Sequence, residues 1–176
     1  MRRLLSALLA SAALAVVLPA LLLAPTTARA GHSPGKGPRH DFAQGTGKYA
    51  AGTVKVQFHV NAQSGPAGQN PRGHVFARRT LGTVASEFAF SGRVTCLTVT
   101  GNRAVVGAVV ERTRTPLVAV GSGVLLEFVD NGHGANAPRD ESNGVLTSAP
   151  PAACPAVLGI SLPFRKGNFV VHDAAP

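Results

Sequence analysis

The chain has 176 residues, 45% of them hydrophobic and 14% charged, with 20 Gly, 13 Pro, 8 Phe, two Cys, one Tyr and no Trp, and a formal net charge of +9. This excludes a multidomain enzyme, a disordered tail and a coiled coil, each of which needs a different length, charge density or apolar period. One domain is expected, and no catalytic or cofactor motif stands out.

The chain opens as a targeting segment. Arg2 and Arg3 precede an apolar stretch from Leu4 to Ala24, followed by Pro25, Thr26, Thr27 and Ala28-Arg29-Ala30. A basic start, an apolar middle and small residues before the cut make a secretory signal peptide, with cleavage after Ala30. The alternatives are an uncleaved anchor, since such a stretch just spans a bilayer, and a twin-arginine signal. Pro19 and the small-residue site favour removal, and the strongly apolar stretch favours general secretion. The mature chain keeps 14 basic against 8 acidic side chains, a net charge of +6. A mature chain of about 146 residues buries roughly 68% of the surface its unfolded form exposes, enough for one core.

Residues 31–48, rich in Gly, Pro, His and basic side chains, have no period and read as a flexible lead-in. The single β domain is expected over residues 49–174. In TVKVQFHV, Val54, Val56, Phe58 and Val60 alternate with polar residues, the period of a strand with one wet face. Residues 61–72 carry Gly, Pro and Asn and read as a loop, and His74 to Arg79 as a shorter strand. Between Ser86 and Val110, Phe88, Phe90, Val94 and Cys96 share one parity, with Gly92 as a bend or bulge. Gly101-Asn102 supplies a two-residue hairpin loop. That loop pairs Val99 with Ala104, Leu97 with Val106, Cys96 with Gly107 and Val94 with Val109. Both faces near the turn are apolar, which places this hairpin inside the sheet system. Further strands are expected at 118–129, 142–147 and 168–172, with a long loop over 130–141. No 3.6-residue apolar period persists in the mature chain. Seven to eight short strands with turn signals predict an all-β fold, a single antiparallel barrel or sandwich nearly free of helix.

Cys96 and Cys154 both survive cleavage, and an exported chain meets oxidising conditions, so one disulfide is expected in place of two free thiols. It closes a loop of nearly sixty residues, for which chain entropy gives about 4 kcal/mol. Two ligands so far apart match no zinc spacing.

The run SGRVTCLTVTGNRAVVGAVV, the strand ending in FVDNGHG, PRDES and the closing KGNFVVHDA resemble an uncharacterised family of small secreted bacterial β-proteins. That family shows a V-x-x-L-x-V-x-G-N-x-A hairpin, a V-x-D-N-G-E-G loop and a closing G-G-N-I-x-V-H strand. The likeness spans roughly residues 45–173 and implies a β fold, with no established reaction, ligand or cofactor. His133 stands where such proteins carry an acidic residue, and the segment around Cys154 has no counterpart in the motif.

Three groups of residues are candidates for function. In the 130–141 loop Asp130, Asn131, His133, Asn136, Asp140 and Glu141 gather among glycines, and calcium takes six to eight oxygens. Asp130 and Asp140 are the expected primary ligands if calcium binds, although the EF-hand spacing is missing. The histidines, His32, His40, His59, His74, His133 and His172, show no metal spacing. Period two turns His59 and His172 toward solvent. Ser122 lies between glycines without the G-x-S-x-G elbow of a hydrolase. Glu87, Glu111 and Glu127 fall on or beside separate strands, so a carboxylate pair for glycoside cleavage is not indicated. With no Trp and one Tyr, aromatic platforms for sugars or for single-stranded nucleic acid are scarce. Arg78 with Arg79, and Arg112 with Arg114 on one parity, are the candidates for polyanion binding.

The sequence therefore predicts a secreted binding or structural module of the cell envelope or medium, not an enzyme. Anionic envelope polymers are the suggested partners, with no transmembrane span in the mature chain and no specific nucleic-acid motif. No cofactor is expected unless the loop holds calcium. The alternative is a small hydrolase-like extracellular enzyme with its site at residues 130–141.

Overall fold

A computed structural model describes residues 40–80, 87–134 and 136–174. The leader, its cleavage site and residues 31–39 of the lead-in lie outside them. Nine strands form one antiparallel sheet: β1 (Asp41–Ala51), β2 (Val54–Ser64), β3 (Arg72–Thr80), β4 (Phe88–Thr100), β5 (Arg103–Thr113), β6 (Gly123–Val129), β7 (Glu141–Thr147), β8 (Leu162–Pro163) and β9 (Lys166–His172). Their order is β8-β7-β6-β5-β4-β3-β2-β1-β9, a meander whose last strand returns to the first. The sheet curls into a half-barrel, and the described residues contain no helix. Among them, accordingly, no helix is long and apolar enough to cross a membrane, a statement that does not bear on strands.

The alternating apolar residues of β2, β4, β5 and β6 face inward. Phe58, Phe128, Phe164 and Phe169 fill the curl, with Phe128 stacked on Phe169 at 4.3 Å between ring centroids and Phe164 on Phe169 at 5.1 Å. Phe58 meets Phe128 edge-on at 5.9 Å, the arrangement that the ring quadrupole favours.

β1 corrects the sequence reading of residues 31–48 as a lead-in, because Asp41 to Lys48 already pair with β2, and Phe42 to Lys48 with β9 as well. The inward face of this strand includes Gly45 and Gly47, so no apolar alternation betrays it. The glycines are there because rings lie against them: a Cβ on Gly47 would enter the Phe164 ring, and one on Gly45 would strike Asn168 and Phe169. β2 likewise runs on to Ser64, inside the expected 61–72 loop, and β6 begins at Gly123 instead of residue 118. With β1 and β8 added, the count exceeds the expected seven to eight strands.

The β4–β5 hairpin turns at Gly101, with φ +59°, and pairs Thr100 with Arg103, Val99 with Ala104, Leu97 with Val106 and Cys96 with Gly107, as the two-residue loop predicts. Val94 departs from that register and faces Ala108 instead of Val109, since a bulge lies between Val94 and Cys96. The extra residue, Thr95, reverses the alternation. Val94 and Leu97 therefore enter the core while Cys96 points to the outer face, correcting the shared parity expected of Val94 and Cys96. A second register shift, between Ser91 and Gly92, is the irregularity expected there.

On that outer face Cys96 and Cys154 form the disulfide, with their Cα atoms 5.5 Å apart. Any Cβ on Gly107 would collide with Cys96 and Pro151, so the absent side chain makes room for the bridge. The bridge holds residues 148–161 over β4, β5 and β6, where Thr95 and Thr98 hydroxyls donate to the Pro151 and Cys154 carbonyls at 2.8 and 3.0 Å. Beneath this cover Glu127 is fully buried and accepts from Arg103, from the Leu158 N–H and from the Ser161 hydroxyl. A buried carboxylate persists only when paired and hydrogen-bonded, and both conditions are met.

Candidate anion-binding groove at one rim

The strand register brings the ends of β1, β3 and β5 and the starts of β2, β4 and β9 to one rim of the half-barrel. That rim carries eight basic residues, Lys48, Lys55, Arg78, Arg79, Arg112, Arg114, Arg165 and Lys166, and far fewer acidic ones. Arg78 pairs with Ala89 across β3 and β4, and Ser91 pairs with Arg112 across β4 and β5, so β4 separates the two arginine pairs by a single strand.

All four arginines singled out in the sequence, Arg78, Arg79, Arg112 and Arg114, line one groove of about 890 Å³. Phe76 and Phe88 add aromatic surface, and Glu87 is the one carboxylate in its lining. Arg79 lies over Phe88 with its guanidinium carbon 5.7 Å from the ring centroid, within cation–π range. Among the described residues none of the four arginines forms a salt bridge; the two ion pairs present are Arg93–Glu111 and Arg103–Glu127. Buried polar atoms in folded proteins nearly always have partners. Three buried side-chain atoms among the described residues lack one, and two of them, Arg79 Nε and Thr115 Oγ1, belong to residues lining this groove.

A second groove of about 400 Å³ adjoins the first at Arg78 and is lined by Lys48, Lys55, Arg165 and Lys166. As site residues these lysines, Arg165, Phe76 and Phe88 escaped the sequence reading. They are scattered over β1, β2, β3, β4, β9 and the link that precedes β9, and only strand order brings them to one rim. Tyr49 stands beside the second groove, and burial raises its phenol above the ordinary value while the Arg79 charge opposes that shift.

The 130–141 loop runs along the edge of β9, where Gly132 to Gly134 and Ala137 to Asp140 line a pocket with Phe164, Arg165, Lys166, Gly167 and Asn168. Asp130 and Asp140, the expected calcium ligands, spend their oxygens on backbone N–H groups. Asp130 accepts from Gly132 at 2.8 Å and Val171 at 3.1 Å, and Asp140 from Asn131 at 2.9 Å and Phe169 at 2.7 Å. Val171 and Phe169 belong to the outer edge of β9, so the two carboxylates replace a missing strand along the seam where the sheet meets itself. Among the described residues no three His, Cys, Asp or Glu side chains gather closely enough to hold a metal ion.

His133 contacts the Asn168 amide at 2.9 Å, His172 stacks on Phe42 at 5.2 Å, and His59 is exposed. Ser122 hydrogen-bonds to the Ala119 carbonyl at 2.6 Å. Glu87 lines the arginine groove, Glu111 pairs with Arg93, and Glu127 lies under the disulfide-held cover, so the structure leaves the three glutamates apart. Compared with protein-family models, curated proteins and solved structures, the chain matches none.

Proposed function

We propose that the protein is a secreted binding module for anionic polymers of the cell envelope or its surroundings, engaged through the arginine groove. The observation that carries this reading is the convergence of Arg78, Arg79, Arg112 and Arg114 on one concave surface with no carboxylate paired to them among the described residues. Charge left unpaired on a concave face attracts polyanions and gives a salt-dependent affinity through counterion release. The second basic groove lengthens the track, as a polymer requires. Export rests on the leader with its cut after Ala30, and the disulfide suits the oxidising compartment such a chain enters.

Chromatography on an immobilised polyanion such as heparin tests the reading. The native protein elutes at a salt concentration that falls clearly when Arg78, Arg112 and Arg114 are all changed to Gln. Equal elution of the two proteins, or retention indifferent to ionic strength, overturns it.

A further inference from the structure

The arginine groove borders an apolar slot. A cavity of about 280 Å³ bounded by Val56, Phe58, Leu126 and Leu146 shares Arg79, Phe88 and Phe90 with the groove, so groove and slot are neighbours, and the recess they make is cationic at one end and hydrocarbon at the other. Arg79 marks the junction, stacked on Phe88 with its Nε buried and unpartnered. The lip of the slot is the outer half of β7. β8 covers only Glu141 and Ser142, and beyond them Val145 and Leu146 are 46% and 44% exposed.

We propose that this recess binds a single-chain anionic amphiphile, an alkyl or acyl chain ending in a phosphate or carboxylate. The head sits among Arg79, Arg112 and Arg114, and the chain enters the slot between β4 and β7. The proposal rests on the groove reading for its head site and goes beyond it in the slot, which a polymer's charge alone does not use. Guanidinium groups suit such a head because their planar forks bind phosphate and carboxylate oxygens in pairs. The tail follows from area: hydrocarbon drawn from water into an apolar slot gains affinity with each methylene, whereas a bare anion gains nothing there.

Isothermal titration with butyl, hexyl, octyl and decyl phosphate, each below its micelle concentration, tests this. Affinity should rise about fourfold per methylene, the equivalent of ~0.8 kcal/mol, until the slot is full. Leu146→Glu at the exposed lip should flatten that rise, and Arg112→Gln with Arg114→Gln should weaken every member alike. Equal affinity for butyl and decyl phosphate overturns the amphiphile and leaves the polymer reading standing. Decyltrimethylammonium binding as well as decyl phosphate overturns it too, as does binding to anionic vesicles without binding to monomers. If neither the alkyl phosphates nor the polyanion column responds to the arginine substitutions, both readings fall. The chain-length series on the native protein decides the matter even if Leu146→Glu fails to fold.

Discussion

Asp41, Asp130 and Asp173, at the rim where β1 begins and β9 ends, and Asp140, farther along the edge of β9, each accept at least one backbone N–H: Asp41 from Ala174, Asp130 from Gly132 and Val171, Asp173 from Gly101, and Asp140 from Asn131 and Phe169. At the opposite rim Arg78, Arg79, Arg112 and Arg114 have no carboxylate partner among the described residues. The acidic rim therefore uses its charge to finish the fold, standing in for ladder bonds that the half-closed sheet lacks. The basic rim leaves its charge facing outward. Partnership, more than the number of charged groups, separates the two: a carboxylate holding buried donors is committed to structure, while an unpaired guanidinium in a groove is available to a ligand.

The largest effect should follow from breaking the acidic seam. Asp140→Ala leaves the N–H groups of Asn131 and Phe169 without an acceptor, and each orphaned donor costs about 1–3 kcal/mol. A loss of roughly 2–4 kcal/mol in urea denaturation is expected on that basis. A midpoint shift no larger than that of a surface substitution would show that the seam does not depend on this carboxylate.

A smaller and pH-dependent effect is expected at Asp41. Burial, helped by the nearby Asp173, raises its pKa above 3.8, against the Ala174 N–H and the His172 and His40 charges. The folded chain therefore holds this proton more tightly than the unfolded one. Stability linked to it is present below the ordinary carboxylate range and is lost as pH rises through the elevated value. Asp41→Asn keeps an oxygen for the Ala174 N–H and removes that loss. Its melting temperature relative to the native protein should improve between pH 3 and 7, and a constant difference across that range would refute the linkage.

The smallest effect belongs to the basic rim. Arg78→Gln, Arg112→Gln and Arg114→Gln should each change stability by less than about 0.5 kcal/mol, the usual range for surface positions away from special features. Thermal melts showing a loss above roughly 1 kcal/mol would place these side chains among the groups that hold the fold, and the contrast between the rims would vanish.

Several of these features were readable from local pattern. Val54 to Val60 alternate because β2 has one wet face, and Gly101-Asn102 announces its hairpin because the turn needs a glycine at positive φ. Cys96 opposite Gly107 marks the disulfide for a steric reason, namely room for sulfur. β1 was hidden because two of its inward residues, Gly45 and Gly47, are glycines that fit against Phe169 and Phe164, far away in sequence. The inversion at Thr95 was hidden because a bulge changes which side a residue faces without changing composition.

The chain alone determined what depends on neighbours in sequence: an all-β fold, the pairing of β4 with β5, the one sulfur bridge and the identity of the four arginines. Only the tertiary structure decided that β4 stands between Arg78–Arg79 and Arg112–Arg114, gathering them into a groove, and that Asp130 and Asp140 point at the edge of β9. Both depend on which strands lie side by side once the sheet has curled, and that is set by contacts between residues dozens of positions apart, which no local periodicity records.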